Sequence, residues 1–176
     1  LLPHLQIPTE LMQYGRIRDR IVPATKIIRS VRGSSLPSIM FLCGRSVEPW
    51  APPSINTTGI GGSETAVIEI AKRFAAAGWL VDVYNEPDHY EGIYDAVGYW
   101  GYNRLDPPTA RRPDILVSWR NPTIHDLPIQ AKAKILWMHD LNKGPGLDGD
   151  FALFDRVLGV SQWHADYLAG QYHLTN

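Results

Sequence analysis

The feature that most constrains the fold is a short apolar run, Ile39–Cys43, followed at a distance by the glycine-rich start of an amphipathic helix. The run has the continuous hydrophobicity of a strand buried on both faces, which is typical of parallel sheets. The helix begins within Gly59-Ile-Gly-Gly-Ser-Glu-Thr65, and its apolar residues recur at helical spacing until Gly78, a good helix-terminating residue. A second run, Leu80–Tyr84, completes a β-α-β unit and predicts an α/β fold.

Later segments extend this pattern along the chain. Gly92–Trp100 predicts an aromatic strand or hairpin, and buried strands are expected at Asp114–Trp119, Lys134–Met138 and Arg156–Ser161. A final helix is expected at Gln162–Leu174. We therefore expect a Rossmann-like parallel sheet with helices on both faces.

The glycine-rich helix start is suited to an anion, although plain turn chemistry is the alternative explanation. Gly61 and Gly62 have no Cβ to hold a ligand away, and the first N–H groups of a helix lack intrahelical partners. A phosphate or a nearby sugar hydroxyl fits such a position. About 15 residues separate Cys43 from Gly59, which argues against an NAD or FAD fingerprint, and no Lys-Ser or Lys-Thr follows to make a P-loop.

The long loop between strand and helix contains Glu48-Pro-Trp-Ala-Pro-Pro53. Long loops in compact domains are often functional, so Trp50 favours a shaped, ligand-facing loop. The alternative is that Trp50 is a hydrophobic plug for the loop itself.

Polar pairs follow each of the last three predicted strands. In a parallel sheet they meet the glycine-rich helix start at the carboxyl edge, where ligands bind in open sheets. His139 is the best candidate for chemistry because a histidine beside a carboxylate can exchange protons near neutral pH. Asp140 could orient that imidazole, bind a sugar hydroxyl or cap the next segment. Arg120 could pair with a phosphate or be an ordinary surface side chain. The pairs are Arg120-Asn121, His139-Asp140 and Ser161-Gln162, while the weaker pair His125-Asp126 lies in a loop.

Composition narrows the classes of function. The chain has 176 residues, 44% of them hydrophobic, and a net charge of −1, which gives no reason to expect nucleic acid as a partner. Its single cysteine, Cys43, is expected to fill space in a buried strand. No apolar run is long enough to span a bilayer and no signal-peptide pattern is evident, so we expect a cytoplasmic location. The sequence contains no Cys/His cluster with ligand spacing, so no zinc site is expected.

Residues 1–36 differ in composition from the rest and are expected to form a separate helical arm or linker before a domain at residues 37–176. Between Arg16 and Arg32 six basic side chains face one acidic residue, Asp19. The segment is either a linker or an arm that contacts anionic lipid headgroups or a partner, which makes the location cytoplasmic or peripheral to a membrane.

From Pro37 to Asn176 the order of these motifs resembles the N-terminal half of a family 4 (group 1) glycosyltransferase of the GT-B fold. The segments that carry the resemblance are Ile39–Cys43, Glu48–Trp50, Gly59–Ala66, Asp114–Arg120, Trp137–Asp140 and Val160–Trp163.

The resemblance implies a hexosyltransferase that moves a sugar from a nucleotide-sugar donor to a glycan or lipid-linked acceptor, with retention and without a metal or other cofactor. It implies that Gly61 and Gly62 meet the donor phosphate or the acceptor through backbone N–H groups, and that His139 contacts the transferred sugar. The candidate site residues are His139 and Asp140 for catalysis, and Gly61, Gly62, Ser63, Glu64, Trp50 and Arg120 for substrate binding.

In this family a second, donor-binding domain supplies an Arg/Lys pair and a glutamate-rich motif, and we find no counterpart of either. We therefore expect an acceptor-side half that lacks appreciable transferase activity alone. Two other classes stay open: another GT-B activity, such as a nucleotide-sugar epimerase or a phosphorylase, and a non-catalytic glycan-binding module.

Overall fold

Short apolar runs form seven strands of one sheet in the computed structural model, which describes residues 36–44, 46, 48–105, 112–122, 128–141 and 150–174. Residues 1–35 of the predicted basic arm and the pair His125-Asp126 lie outside these ranges. The strands are β1 (Ser38–Leu42), β2 (Leu80–Tyr84), β3 (Gly92–Tyr94), β4 (Val97–Trp100), β5 (Ile115–Trp119), β6 (Ala133–Trp137) and β7 (Arg156–Leu158).

The strand order across the sheet is β3-β4-β2-β1-β5-β6-β7. All neighbouring pairs are parallel except β3 and β4, which form an antiparallel hairpin at one edge. Tyr94 pairs with Val97 across a two-residue turn, in which Asp95 and Ala96 have φ of 48° and 62°. These left-handed conformations give the turn the twist that tight hairpins need.

Three α-helices accompany the sheet within the described ranges: α1 (Ser54–Thr57), α2 (Gly62–Ala76) and α3 (Gln162–Tyr172). None of these described helices is long and apolar enough to cross a membrane.

The two long helices cover opposite faces of the sheet. Val67 of α2 packs in one core cluster with Phe41 of β1, whereas Leu168 of α3 packs with Leu136 of β6. Residue alternation along the strands places Phe41 and Leu136 on opposite faces, because Leu136 shares its face with Leu116 and Leu42. The predicted Rossmann-like α/β fold is confirmed.

The long connection from β1 to α2 is anchored by Trp50, whose side chain is 1% exposed. Its indole Nε1 donates to Ser46 Oγ at 2.7 Å, and its carbonyl oxygen accepts from Asn85 Nδ2 at 2.6 Å. The ring meets Tyr99 and Trp119 edge-on, with centroids 6.4 and 6.0 Å apart. Trp50 therefore fills the core beneath the loop, as in the hydrophobic-plug alternative, and its indole N–H is already paired with Ser46.

Candidate functional site

The candidate site lies at the carboxyl ends of β5, β6 and β7, where the backbone hydrogen-bond pattern continues past the strands. Arg120 N–H donates to the Trp137 carbonyl at 2.9 Å, and Met138 N–H donates to the Leu158 carbonyl at 2.8 Å. These bonds hold the segments that carry Arg120 and His139 side by side. Two of the three expected strand-end pairs, Arg120-Asn121 and His139-Asp140, therefore lie on adjacent segments.

Arg120 and Asp140 form a two-pronged ion pair across this edge. Arg120 Nε donates to Asp140 Oδ2 at 2.6 Å, and Arg120 Nη2 donates to Asp140 Oδ1 at 3.0 Å. The guanidinium carbon also lies 5.0 Å from the centre of the Trp119 ring, within cation-π range. Both charged side chains remain accessible, at 37% and 44% exposure.

The backbone of Arg120 is strained. Its φ is 62°, a left-handed conformation that an L residue with a Cβ adopts at a cost of roughly 1–2 kcal/mol. Such strain recurs at functional sites, where surrounding contacts maintain it. Here the contacts with Asp140 and Trp119 hold the guanidinium over the strand ends.

His139 lies partly buried among aromatic rings. Its imidazole centroid is 4.6 Å from that of Trp137 and 5.8 Å from that of Trp119. Burial is the main cause that lowers the pKa of His139, and the charge of Arg120 lowers it further, against smaller opposing effects of Asp140 and Glu64. His139 is therefore neutral at pH 7, and its Nε2 is buried without a hydrogen-bond partner among the described residues.

The glycine-rich helix start carries its own carboxylate. Gly61 is the N-cap of α2, and a Cβ added there would collide with the side chain of Glu64. Ser63 Oγ donates to Glu64 Oε2 at 2.9 Å. A carboxylate here is favoured by the positive end of the helix dipole. A Cβ on Gly62, in contrast, would meet no heavy atom within 4 Å, so its backbone is open to a ligand.

The Glu64 charge connects this helix start with the strand ends. It acts on the imidazole of His139 and, second to burial, it raises the pKa of the Cys43 thiol at the end of β1. Residues predicted from α2, β5 and β6 thus share one electrostatic environment. Cys43 itself is buried and its thiol is protonated, as expected for a space-filling residue.

Comparisons of the chain with protein-family models, curated proteins and solved structures found no match. Its function is therefore argued from the residues and their geometry.

His164 is a site component that the sequence reasoning missed. Its side chain is 2% exposed, and its Nδ1 accepts a hydrogen bond from Val160 N–H at 3.2 Å. The proton is then on Nε2, which donates to the Asp140 carbonyl at 3.1 Å. Ser161 Oγ caps α3 by accepting from His164 N–H at 3.1 Å. Through these bonds α3 positions the backbone of Asp140. The sequence feature that could have indicated His164 is its position three residues after Ser161, the N-cap of α3.

The described residues contain no group of three or more His, Cys, Asp or Glu side chains that could hold a metal ion. The accessible polar groups of the site are thus the open backbone at Gly62 and the paired Arg120 and Asp140, whereas the unpaired imidazole nitrogen of His139 is buried. This set can bind an anion at its accessible rim and hydroxyl groups deeper in.

Proposed function

We propose that the chain forms the acceptor-side half of a retaining GT-B glycosyltransferase that uses a nucleotide-sugar donor and a glycan or lipid-linked acceptor. The observation that carries the proposal is the convergence of the open helix start at Gly62, the Arg120–Asp140 pair and the neutral His139 at one sheet edge. Ligands of open α/β sheets bind at this edge.

Each group has a role suited to such a substrate. The N–H groups at the start of α2 meet a phosphate oxygen, and the absence of a Cβ at Gly62 permits close approach. Neutral His139 contacts hydroxyl groups of the sugar, since an imidazole offers both a donor and an acceptor. Arg120 supplies positive charge near the phosphate.

In the unliganded site each positive group already lies beside a carboxylate, and the binding experiment is designed around this pairing. Asp140 holds Arg120, and Glu64 lies over the helix start, so both positive features already have a carboxylate neighbour. A phosphate must compete with these carboxylates. Replacing Asp140 by Asn removes the competing charge while keeping the side-chain shape, and it releases Arg120 for the ligand.

The experiment measures thermal stabilisation and calorimetric binding of UDP and GDP by the wild type and by Asp140→Asn, because a ligand of the folded state raises the melting temperature. We expect binding by the wild type and a severalfold higher affinity in the variant. The control is Asp95→Asn, which breaks the 3.3 Å pair with Lys72 at the hairpin turn and leaves affinity unchanged. No response to either nucleotide in both the wild type and Asp140→Asn contradicts the donor-phosphate contact at this edge.

A second candidate is a non-catalytic glycan-binding module. It is favoured by the neutralised state of Arg120, because a neutral glycan needs no free cation. Stabilisation by oligosaccharides without any response to nucleoside diphosphates would leave two candidates, this module and an acceptor-binding half that meets no donor phosphate.

A further inference from the structure

Three tryptophans are buried in the described part of the chain, and one differs from the others. Trp50, Trp100 and Trp119 are 1%, 7% and 3% exposed. Trp50 Nε1 donates to Ser46 Oγ at 2.7 Å, and Trp100 Nε1 donates to Asp82 Oδ1 at 2.6 Å. Trp119 Nε1 has no hydrogen-bond partner among the described residues.

A second unpaired atom lies in the neighbouring strand. His139 Nε2 is also buried without a partner among the residues described, and its ring is 5.8 Å from the Trp119 ring between centroids, at an interplanar angle of 68°. Trp119 ends β5 in register with Trp137 at the end of β6, two residues before His139. The two unpaired nitrogens therefore belong to adjacent side chains at the carboxyl edge.

Buried polar atoms in folded proteins nearly always have a hydrogen-bond partner, because a buried donor without an acceptor destabilises the fold. An indole N–H is a donor only, so the missing group at Trp119 is an acceptor. Replacing either indole by phenyl leaves a small cavity in the core. The unpaired indole loses no hydrogen bond on replacement, whereas the paired one does, so Trp119 and Trp50 offer different expectations within one core cluster.

We infer that Trp119 is a ligand-contacting residue whose Nε1–H donates a hydrogen bond to a hydroxyl oxygen of the bound hexose, beside His139. This inference rests on the proposed function and adds a residue and a ligand atom to it. Because this nitrogen is buried in the unliganded structure, the bound hexose must displace the groups that cover it. Trp119 then acts by direct contact and sets specificity for a hydroxyl at that position of the sugar.

A hydroxyl suits this place better than a phosphate oxygen. Burial and Arg120 keep the imidazole of His139 neutral, and the surrounding rings of Trp119 and Trp137 are apolar. A charged phosphate in such surroundings loses hydration without a full counter-charge. A hydroxyl can accept from Trp119 and either donate to or accept from His139, so it fits both tautomers of the imidazole.

The test compares Trp119→Phe with the matched control Trp50→Phe, using UDP, GDP and their hexose conjugates as probes. Calorimetry gives affinities, and urea unfolding gives the stability of each unliganded protein. For Trp119→Phe we expect an affinity for the matching hexose conjugate that is roughly three- to tenfold lower, the worth of one hydrogen bond, with unchanged affinity for the free nucleoside diphosphate. Its urea midpoint falls less than that of Trp50→Phe, because both variants leave a small cavity and only Trp50→Phe also loses a hydrogen bond.

Trp50→Phe shows a different result, a larger fall in the urea midpoint and unchanged affinity, because it also loses the bond to Ser46. If Trp119→Phe behaves like Trp50→Phe in both measurements, the indole has a structural partner and the inference is overturned. If nucleoside diphosphates bind but Trp119→Phe does not discriminate against the hexose conjugate, the inference fails while the proposed function survives. If the wild type binds none of the probes, the donor contact of the proposed function and this inference fail together.

Discussion

Replacing Gly62 by Ala separates the stability of the helix start from its use as a binding surface. A Cβ there meets no heavy atom within 4 Å. Gly62 is also the first residue of the 15-residue helix α2, and alanine has a higher helix propensity than glycine. Restricting the unfolded chain at such a position stabilises a protein by about 0.4–1 kcal/mol. For a domain of this size, that gain raises the melting temperature by roughly 1–4 °C.

The same methyl group stands where the proposed ligand approaches the backbone. Hydrogen bonds to charged groups contribute about 1.5–3 kcal/mol, so loss of one lowers affinity by a factor of at least about ten. We therefore expect Gly62→Ala to melt at a higher temperature and to bind UDP or GDP at least tenfold more weakly. Differential scanning fluorimetry and calorimetry measure the two quantities.

Gly170 in helix α3 provides the matched control. An added Cβ at Gly170 also meets no heavy atom within 4 Å, and the residue lies near the end of α3 away from the helix start. Gly170→Ala should raise the melting temperature similarly and leave affinity unchanged. Undiminished nucleotide affinity in Gly62→Ala would refute the reasoning, since the ligand would then not approach this backbone.

Four further outcomes follow from the described contacts. Arg120→Gly should be about 1 kcal/mol more stable than Arg120→Ala in urea unfolding, because only glycine relieves the left-handed φ of 62°; the reverse order would contradict this conformation. Because burial raises the pKa of the Cys43 thiol, native protein should react with Ellman's reagent at pH 8 far more slowly than urea-unfolded protein, and equal rates would contradict its burial. The lowered pKa of His139 predicts an NMR titration midpoint below 6.5. Because the unfolded state then binds the proton more readily than the folded state, the free energy of unfolding falls as the pH drops from about 6.5 toward the folded pKa. His139→Gln should lack this part of the decline. Lys132 lowers the pKa of Asp114, so the Asp114 carboxylate stabilises the fold above pH ~4, and this stabilisation is lost as the pH falls through the folded pKa. Asp114→Asn should have a lower melting temperature at about pH 7 than the wild type and should lose less stability on acidification.

The sheet was largely predictable because its central strands are buried on both faces. A strand of this kind is a continuous apolar run, and Leu80–Tyr84 was predicted with the bounds that β2 has. The edge strand β7 was less predictable. It ends at Leu158 instead of Ser161, and the next residue, Gly159, packs closely against the start of α3, where an added Cβ would lie 2.7 Å from Ala165 N.

The sequence predicted which segments meet at the sheet edge, but it did not predict which side chains pair there. Parallel strands bring Arg120 and Asp140 to one edge, but their pairing depends on the left-handed backbone of Arg120, which nothing local in the sequence requires. Trp50 could equally face a ligand or fill the core. Its position was decided by Tyr99 and Trp119, both far along the chain, so local sequence could not distinguish the two outcomes.

The described site divides into an accessible charged rim and a buried neutral interior, and the division limits what can bind well. The rim pair of Arg120 and Asp140 is about 40% exposed, and exposed ion pairs contribute little to stability or affinity in water. The interior nitrogens of Trp119 and His139 are shielded from solvent, where each hydrogen bond is worth more. A simple anion uses only the rim, and a neutral sugar uses mainly the interior. A sugar phosphate ester engages both, so the physical difference between the two parts, more than either part alone, favours a nucleotide sugar over its separate components.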